Sequence, residues 1–120
     1  MRLSEAIRLG AALRPQAYFA LFDGVGTCAF GAAFEANGWA PVRWSTGWNH
    51  ADPEWRRPTN LTAVHPVTQG VRLVKYIIIS LNNVHRWTRE RIADWVEGEE
   101  RRLGLWDVPA EVVEAAEACA

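Results

Sequence analysis

This chain of 120 residues holds only two cysteines, one methionine and a single lysine, Lys75. Cys28 and Cys119 are too few for a disulfide framework, so the fold must rest on its own core. No apolar run reaches 18 residues, and a membrane-spanning helix is not expected. Charge of one sign is missing too. With 13 basic against 14 acidic residues the formal net charge is −1, which leaves no global basic field for phosphate backbones. Met1-Arg2-Leu3-Ser4-Glu5 does not open a signal peptide, because Arg8, Arg14 and Pro15 break the apolar stretch that follows. The expected location is therefore the cytoplasm, with both cysteines as free thiols. There is no internal repeat and no low-complexity tract. No Ser-His-Asp, Cys-His or paired-carboxylate pattern stands out. The expectation is no catalytic residue, no cofactor and no metal.

Tryptophan is in excess. Trp39, Trp44, Trp48, Trp55, Trp87, Trp95 and Trp106 make seven. Each is a large surface that needs a core, a partner or a ligand site to cover it. The length corresponds to one domain, residues 1–120.

The densest apolar stretch runs from Val71 to Gly104. Val74, Ile77, Ile78, Leu81 and His85 fall at helical spacing and predict a helix over 71–83. The same run is rich in β-branched residues, and a buried strand over 71–79, paired with 18–22, is the alternative. Asn82-Asn83 suits a helix end. Thr88 reads as the N-cap of a second helix, 88–103, with Glu90 in its first turn and Gly104 as its C-terminal glycine. Ile92, Trp95, Val96 and Leu103 share one face of it, with Asp94, Glu97, Glu100 and Arg101 largely turned away.

Upstream, Ser4 reads as the cap of a helix over 4–13, with Leu3, Ile7 and Leu13 inward and Gly10-Ala11 allowing close packing. Pro15 helps to end it. Tyr18 to Phe22 reads as a buried strand, Asp23-Gly24-Val25-Gly26 as a turn, 27–36 as a helix and Asn37-Gly38 as its C-cap. Strand, Gly-x-Gly turn and helix is the outline of a nucleotide-binding unit. Residues 39–69, broken by Pro41, Pro53, Pro58 and Pro66, read as a long irregular loop, packed and with room for a short hairpin. The last helix is predicted over 108–118. The fold class expected is mainly α, with four to five short helices and a Trp/Pro-rich loop; a small α+β domain is the alternative.

The segment Leu81-Asn82-Asn83-Val84-His85-Arg86-Trp87-Thr88-Arg89-Glu90, continued by Ile92-Ala93-Asp94-Trp95-Val96, resembles the C-terminal signature of a family of small, uncharacterised bacterial and phage proteins. LSEAIRLGA and GTCAFGAA resemble the same family's opening. The signature residues carried over are His85, Trp87, Thr88, Arg89, Glu90, Asp94 and Trp95. Some members of that family carry a Cys-Pro-x-Cys pair upstream and a second histidine, a spacing that resembles a zinc site. Here Ser80 stands where that histidine falls and no cysteine pair precedes it, so the resemblance implies no zinc. LFDGVGTCAFGAAFEANGW also looks like the glycine motif that binds S-adenosylmethionine in DNA cytosine methyltransferases. Against that function stand the short chain, the lack of an acidic residue after the next apolar stretch, and the lack of a Pro-Cys nucleophile loop.

The expected role is non-enzymatic: a protein-interaction or accessory protein, self-association included, with Trp44, Trp48, Trp55, Arg56 and Arg57 as the partner surface. Presence of the family in phages would suit an accessory protein. The alternatives are a nucleic-acid-binding module built on Arg86, Arg89, Arg91, Arg101 and Arg102, and nucleotide or S-adenosylmethionine binding at the Gly-x-Gly turn. Nucleic acid is not favoured, because acidic residues are interleaved with the arginines and pair at i,i+4. Cys28, at a helix start, is a thiol whose pKa that position could lower, but the favoured reading is a small buried residue.

Overall fold

Helix α1 spans Leu3–Ala11 in the computed structural model, which describes residues 1–38 and 53–106. Leu3, Ala6, Ile7 and Gly10 recur at helical spacing and are buried. The N-cap is Arg2 rather than Ser4. Ser4 is fully buried inside the helix and donates its hydroxyl to the Glu100 carboxylate, so it is committed to a tertiary acceptor. The Arg2 N–H reaches Glu5 Oε2 instead, at 3.4 Å. Leu13, expected inward, lies past the helix end and is exposed.

α1 packs on α2 (Ala29–Ala36). A Cβ at Gly10 would sit 1.8 Å from the carbonyl oxygen of Ala32, so only glycine permits this approach. Between the two helices the expected strand over 18–22 does not form. The segment is an irregular loop pinned by isolated bridges from Gln16 and from Phe22 to Thr27. Phe19 has φ of 60°, which no strand residue adopts. α2 starts later than expected because Cys28 takes the N-cap, its Sγ accepting the Gly31 N–H at 3.4 Å. Asn37 and Gly38, the latter at φ 88°, close it as read.

Of the long middle, residues 39–52 lie outside the described residues, and with them Trp39, Trp44, Trp48, His50 and Asp52. So does the helix expected over 108–118. The remainder holds a helix that was not expected and one strand of a short hairpin. α3 covers Pro53–Thr59 with Pro58 in its last turn. An antiparallel hairpin follows, β1 (Thr62–Val64) against β2 (Val71–Leu73), in the register Thr62–Leu73, Ala63–Arg72, Val64–Val71.

The predicted helix over 71–83 divides. Its first three residues are β2, and α4 runs Val74–Asn83. Val74, Ile77, Ile78 and Leu81 are all buried. A strand would turn Ile77 and Ile78 to opposite faces, whereas a helix buries both on one core. α5 (Arg89–Arg102) matches its prediction closely. Thr88 Oγ1 accepts the Arg91 N–H at 3.2 Å, and Gly104 has φ of 77°. Glu100 is the exception on this helix, buried at 2% exposure although its neighbours are charged and outward.

The described residues form a mainly α globule of five helices and one small hairpin. Its core joins Leu3, Ile7, Phe34, Trp55, Ile77 and Ile92 with others, and draws on all five helices and β1. Among the described residues no helix is long and apolar enough to cross a membrane.

Candidate interaction surface and the polar centres behind it

The signature residues turn out to hold the fold together. Thr88 caps α5, which points Arg89 from the first turn into the space between α1 and α2. The Arg89 guanidinium is 5% exposed. It donates to Ala11 O at 3.2 Å, Arg14 O at 2.6 Å, Thr27 O at 3.2 Å and Thr27 Oγ1 at 2.9 Å. The carbonyls freed at the end of α1 thus receive a cation, the charge that a helix C-terminus favours. Burial pulls the Arg89 pKa down from its usual value. An arginine remains charged all the same.

Asn82 forms a second polar hub, at the end of α4. Its Oδ1 accepts Gln16 Nε2 at 2.9 Å and the Ala29 N–H at 3.2 Å. Its Nδ2 donates to Ala17 O at 2.9 Å and Asn83 Oδ1 at 2.8 Å. Every hydrogen-bonding site of this buried amide is satisfied. Arg89 and Asn82 between them tie the irregular 12–28 loop to α4 and α5.

The other signature residues lie on or near the surface. Asp94 and Glu97 both bind Arg8, each at 2.9 Å. Asp94 first and then Glu97 raise the Arg8 pKa, and Arg8 and Arg101 together lower that of Glu97. Trp95 packs half-buried against the core, and Glu90 is exposed in the first turn of α5. Arg91 stacks over Trp87, 3.7 Å from the ring centroid. Arg86 covers Tyr18 at 4.1 Å, and Arg2 and Arg101 both lie on Trp106. Glu97 and Glu99 bind Arg101 and Arg102 one turn on. The basic segment considered for nucleic acid is therefore spent largely on carboxylates, rings and carbonyls of the chain itself.

Among the residues expected to form a partner surface, Trp55 must be corrected. It is 2% exposed, tilted against Phe34 with ring centroids 6.0 Å apart, and its Nε1 donates to Met1 O at 3.0 Å. The α3 helix, unseen in the Pro-rich sequence, turns it into the core. Arg56 and Arg57 on the same helix are exposed. Trp44 and Trp48 lie outside the described residues.

The glycine turn is exposed at Asp23, Gly24 and Val25 and becomes buried at Gly26. Asp23 Oδ1 accepts the N–H groups of Gly26 at 2.7 Å and Val25 at 2.9 Å, and these two bonds lower its pKa. A Cβ at Gly26 would lie 2.4 Å from Pro15 O, and one at Gly31 would lie 2.1 Å from Leu21 O. The space those glycines open is filled by the chain's own backbone. Cys28 follows the buried reading and not the activated one. Burial raises its thiol pKa, and the N–H groups at the helix start offset only part of that.

Two features were not legible beforehand. The first is an apolar face. Twelve large hydrophobic side chains are exposed among the described residues, and six of them fall between Leu61 and Ile79. Val64 and Val71 are cross-strand partners on the hairpin, Val67 lies in its turn, and Tyr76 and Ile79 sit one turn apart on α4. The second is a histidine cluster behind that hairpin. His65 is 3% exposed, its Nε2 lies 3.1 Å from Ser80 Oγ, and its ring meets His85 edge-on at 5.1 Å between centroids. His85 is half-buried just past α4, where the sequence placed it. No group of three or more His, Cys, Asp or Glu able to hold a metal occurs among the described residues.

No family model matches this chain, and no curated protein or solved structure is significantly similar to it.

Proposed function

We propose that this chain is a non-enzymatic interaction protein that docks a protein partner, or a second copy of itself, on the face made by β1, β2 and α4. The observation that carries this reading is the concentration of exposed Val64, Val67, Val71, Tyr76 and Ile79 on adjoining elements. A monomer seldom leaves a large contiguous apolar patch bare unless something binds there. Among the described residues no strand pairs with the outer edges of the two-stranded hairpin, and such edges can accept a strand from a partner. The exposed Arg56 and Arg57 on α3 are suited to a polar rim around such a contact. A cytoplasmic accessory protein of bacterial or phage origin fits the same reading, on the strength of the signature residues alone.

Native mass spectrometry of the chain purified from its own host is the test. The expected result is a mass that includes a second protein or a second copy, lost in a Val64→Lys/Val71→Lys variant. A bare monomer sinks the reading. So does a bound metal, nucleotide or adenosyl cofactor, which would return attention to residues 23–31.

A further inference from the structure

We infer that His65 is an acid-sensitive clasp, which closes the β1–β2 turn against α4 only while its imidazole is neutral. The geometry fixes the protonation state. Nδ1 accepts two backbone N–H groups, from Val67 at 3.0 Å and Thr68 at 3.2 Å, so it must carry a lone pair. The single ring proton is then on Nε2, which donates it to Ser80 Oγ at 3.1 Å. One side chain thus holds its own turn through one nitrogen and α4 through the other.

The turn depends on this clasp. His65 O accepts the Gln69 N–H at 2.9 Å, and the His65 N–H reaches Gly70 O at 2.8 Å. Gln69 has φ of 66°, a left-handed conformation that a residue with a Cβ adopts only when its surroundings hold it there. Protonation would put an N–H at Nδ1, facing two other N–H groups. Both acceptor bonds would be lost, and a buried cation would lie against its neighbours.

Those neighbours make the cation less welcome. Among the described residues, the titratable and charged groups that bear on the ring are His85, from the segment after α4, and Arg72, from β2. None is acidic, and the ring's hydrogen bonds go to Ser80 Oγ and two backbone N–H groups. Burial first, then His85 and Arg72, lower the His65 pKa from the ordinary 6.5. The sign follows. Below 6.5 the unfolded or opened segment takes up a proton before the closed one does, so closure is favoured fully above that pH. It weakens as pH falls from 6.5 to the lowered value, and changes no further below it. This inference stands on the clasp geometry and does not need the docking role of the hairpin face.

An NMR titration of the full chain from pH 7.5 to 4.5 tests it, following the His65 Cε1–H shift and amide exchange corrected for its intrinsic pH dependence. His65 should titrate below 6.5. Protection of the Val67 and Thr68 amides should fall about tenfold per pH unit through that window, while α5 amides keep theirs. In His65→Asn, an uncharged Oδ1 can accept both N–H groups, and the pH profile should flatten. Titration of His65 at or above 6.5, or protection of the turn that stays flat in the native chain, overturns the clasp. So does loss of protection in α5 in step with the turn. The native chain alone decides the matter if the variant fails to fold.

Discussion

Arg89 and His65 are both nearly inaccessible, at 5% and 3% exposure; Arg89 binds backbone oxygens of segments far from its own helix, whereas His65 binds two N–H groups of its own turn and the Ser80 hydroxyl on α4. They differ in what the solvent can do to them. The guanidinium offers only donors, meets only oxygens and keeps its charge at any ordinary pH. The imidazole acts as acceptor and donor at once, and a single proton ends that arrangement. Arg89 joins α1, α2 and α5, the part of the fold with the most extensive packing. His65 joins a hairpin of three-residue strands to one helix. The molecule places its permanent charge where the chain must never open and its titratable group where opening costs least.

The largest effect should come from Gly10→Ala. The new methyl collides with Ala32 backbone, which cannot swing aside as a side chain would. A loss of about 3 kcal/mol or more in denaturant unfolding is expected. A loss below 1 kcal/mol would mean that α1 and α2 do not approach as described. Arg89→Met should follow closely, at about 3 kcal/mol, because it removes the guanidinium donor from the carbonyls of Ala11 and Arg14 and leaves Thr27 O with only the Ala17 N–H. Arg89→Lys should recover only part of this, since an ammonium cannot span the same fork. Full recovery would make charge, and not geometry, the contribution of Arg89.

Asn82→Leu should destabilise by about 2 kcal/mol, since it strips partners from the Ala29 N–H and Ala17 O. Unlike the His65 clasp, its effect should be the same at pH 5 and pH 7. An Asn82→Leu penalty that grew on acidification would erase the distinction between the two centres. Thr88→Ala should cost about 1 kcal/mol through loss of the α5 cap. Asp94→Ala, which breaks one surface contact of Arg8 while Glu97 remains, should cost under about 1 kcal/mol in thermal unfolding.

The parts of the fold that could be read in advance are those with local causes. Thr88, Glu90 and Gly104 mark the ends of α5 through their own backbone chemistry, and Asn37-Gly38 does the same for α2. The apolar spacing of α4 was equally plain, though not the three residues of β2 that precede it. The α3 helix was hidden by Pro53 and Pro58, which are tolerated because one opens the helix and the other falls in its last turn. Trp55 was consequently read as surface when it is core. The exposure of Val64 and Val71 could not be read at all: an exposed valine and a buried one look the same until β1 and β2 pair.

Sequence alone determined a mainly α chain, the C-terminal limit of α2, the limits of α5 and the close-packing glycine at position 10, because capping, spacing and steric size act within a few residues. Tertiary structure decided which polar residues are buried. Arg89, Glu100, Asn82 and His65 sit in stretches that read as solvated, and each is inside because distant residues supply its partners: Ala11, Arg14 and Thr27; Ser4; Ala17 and Ala29; and Ser80. A polar group is buried when its hydrogen bonds are met, and only the folded chain brings those partners together.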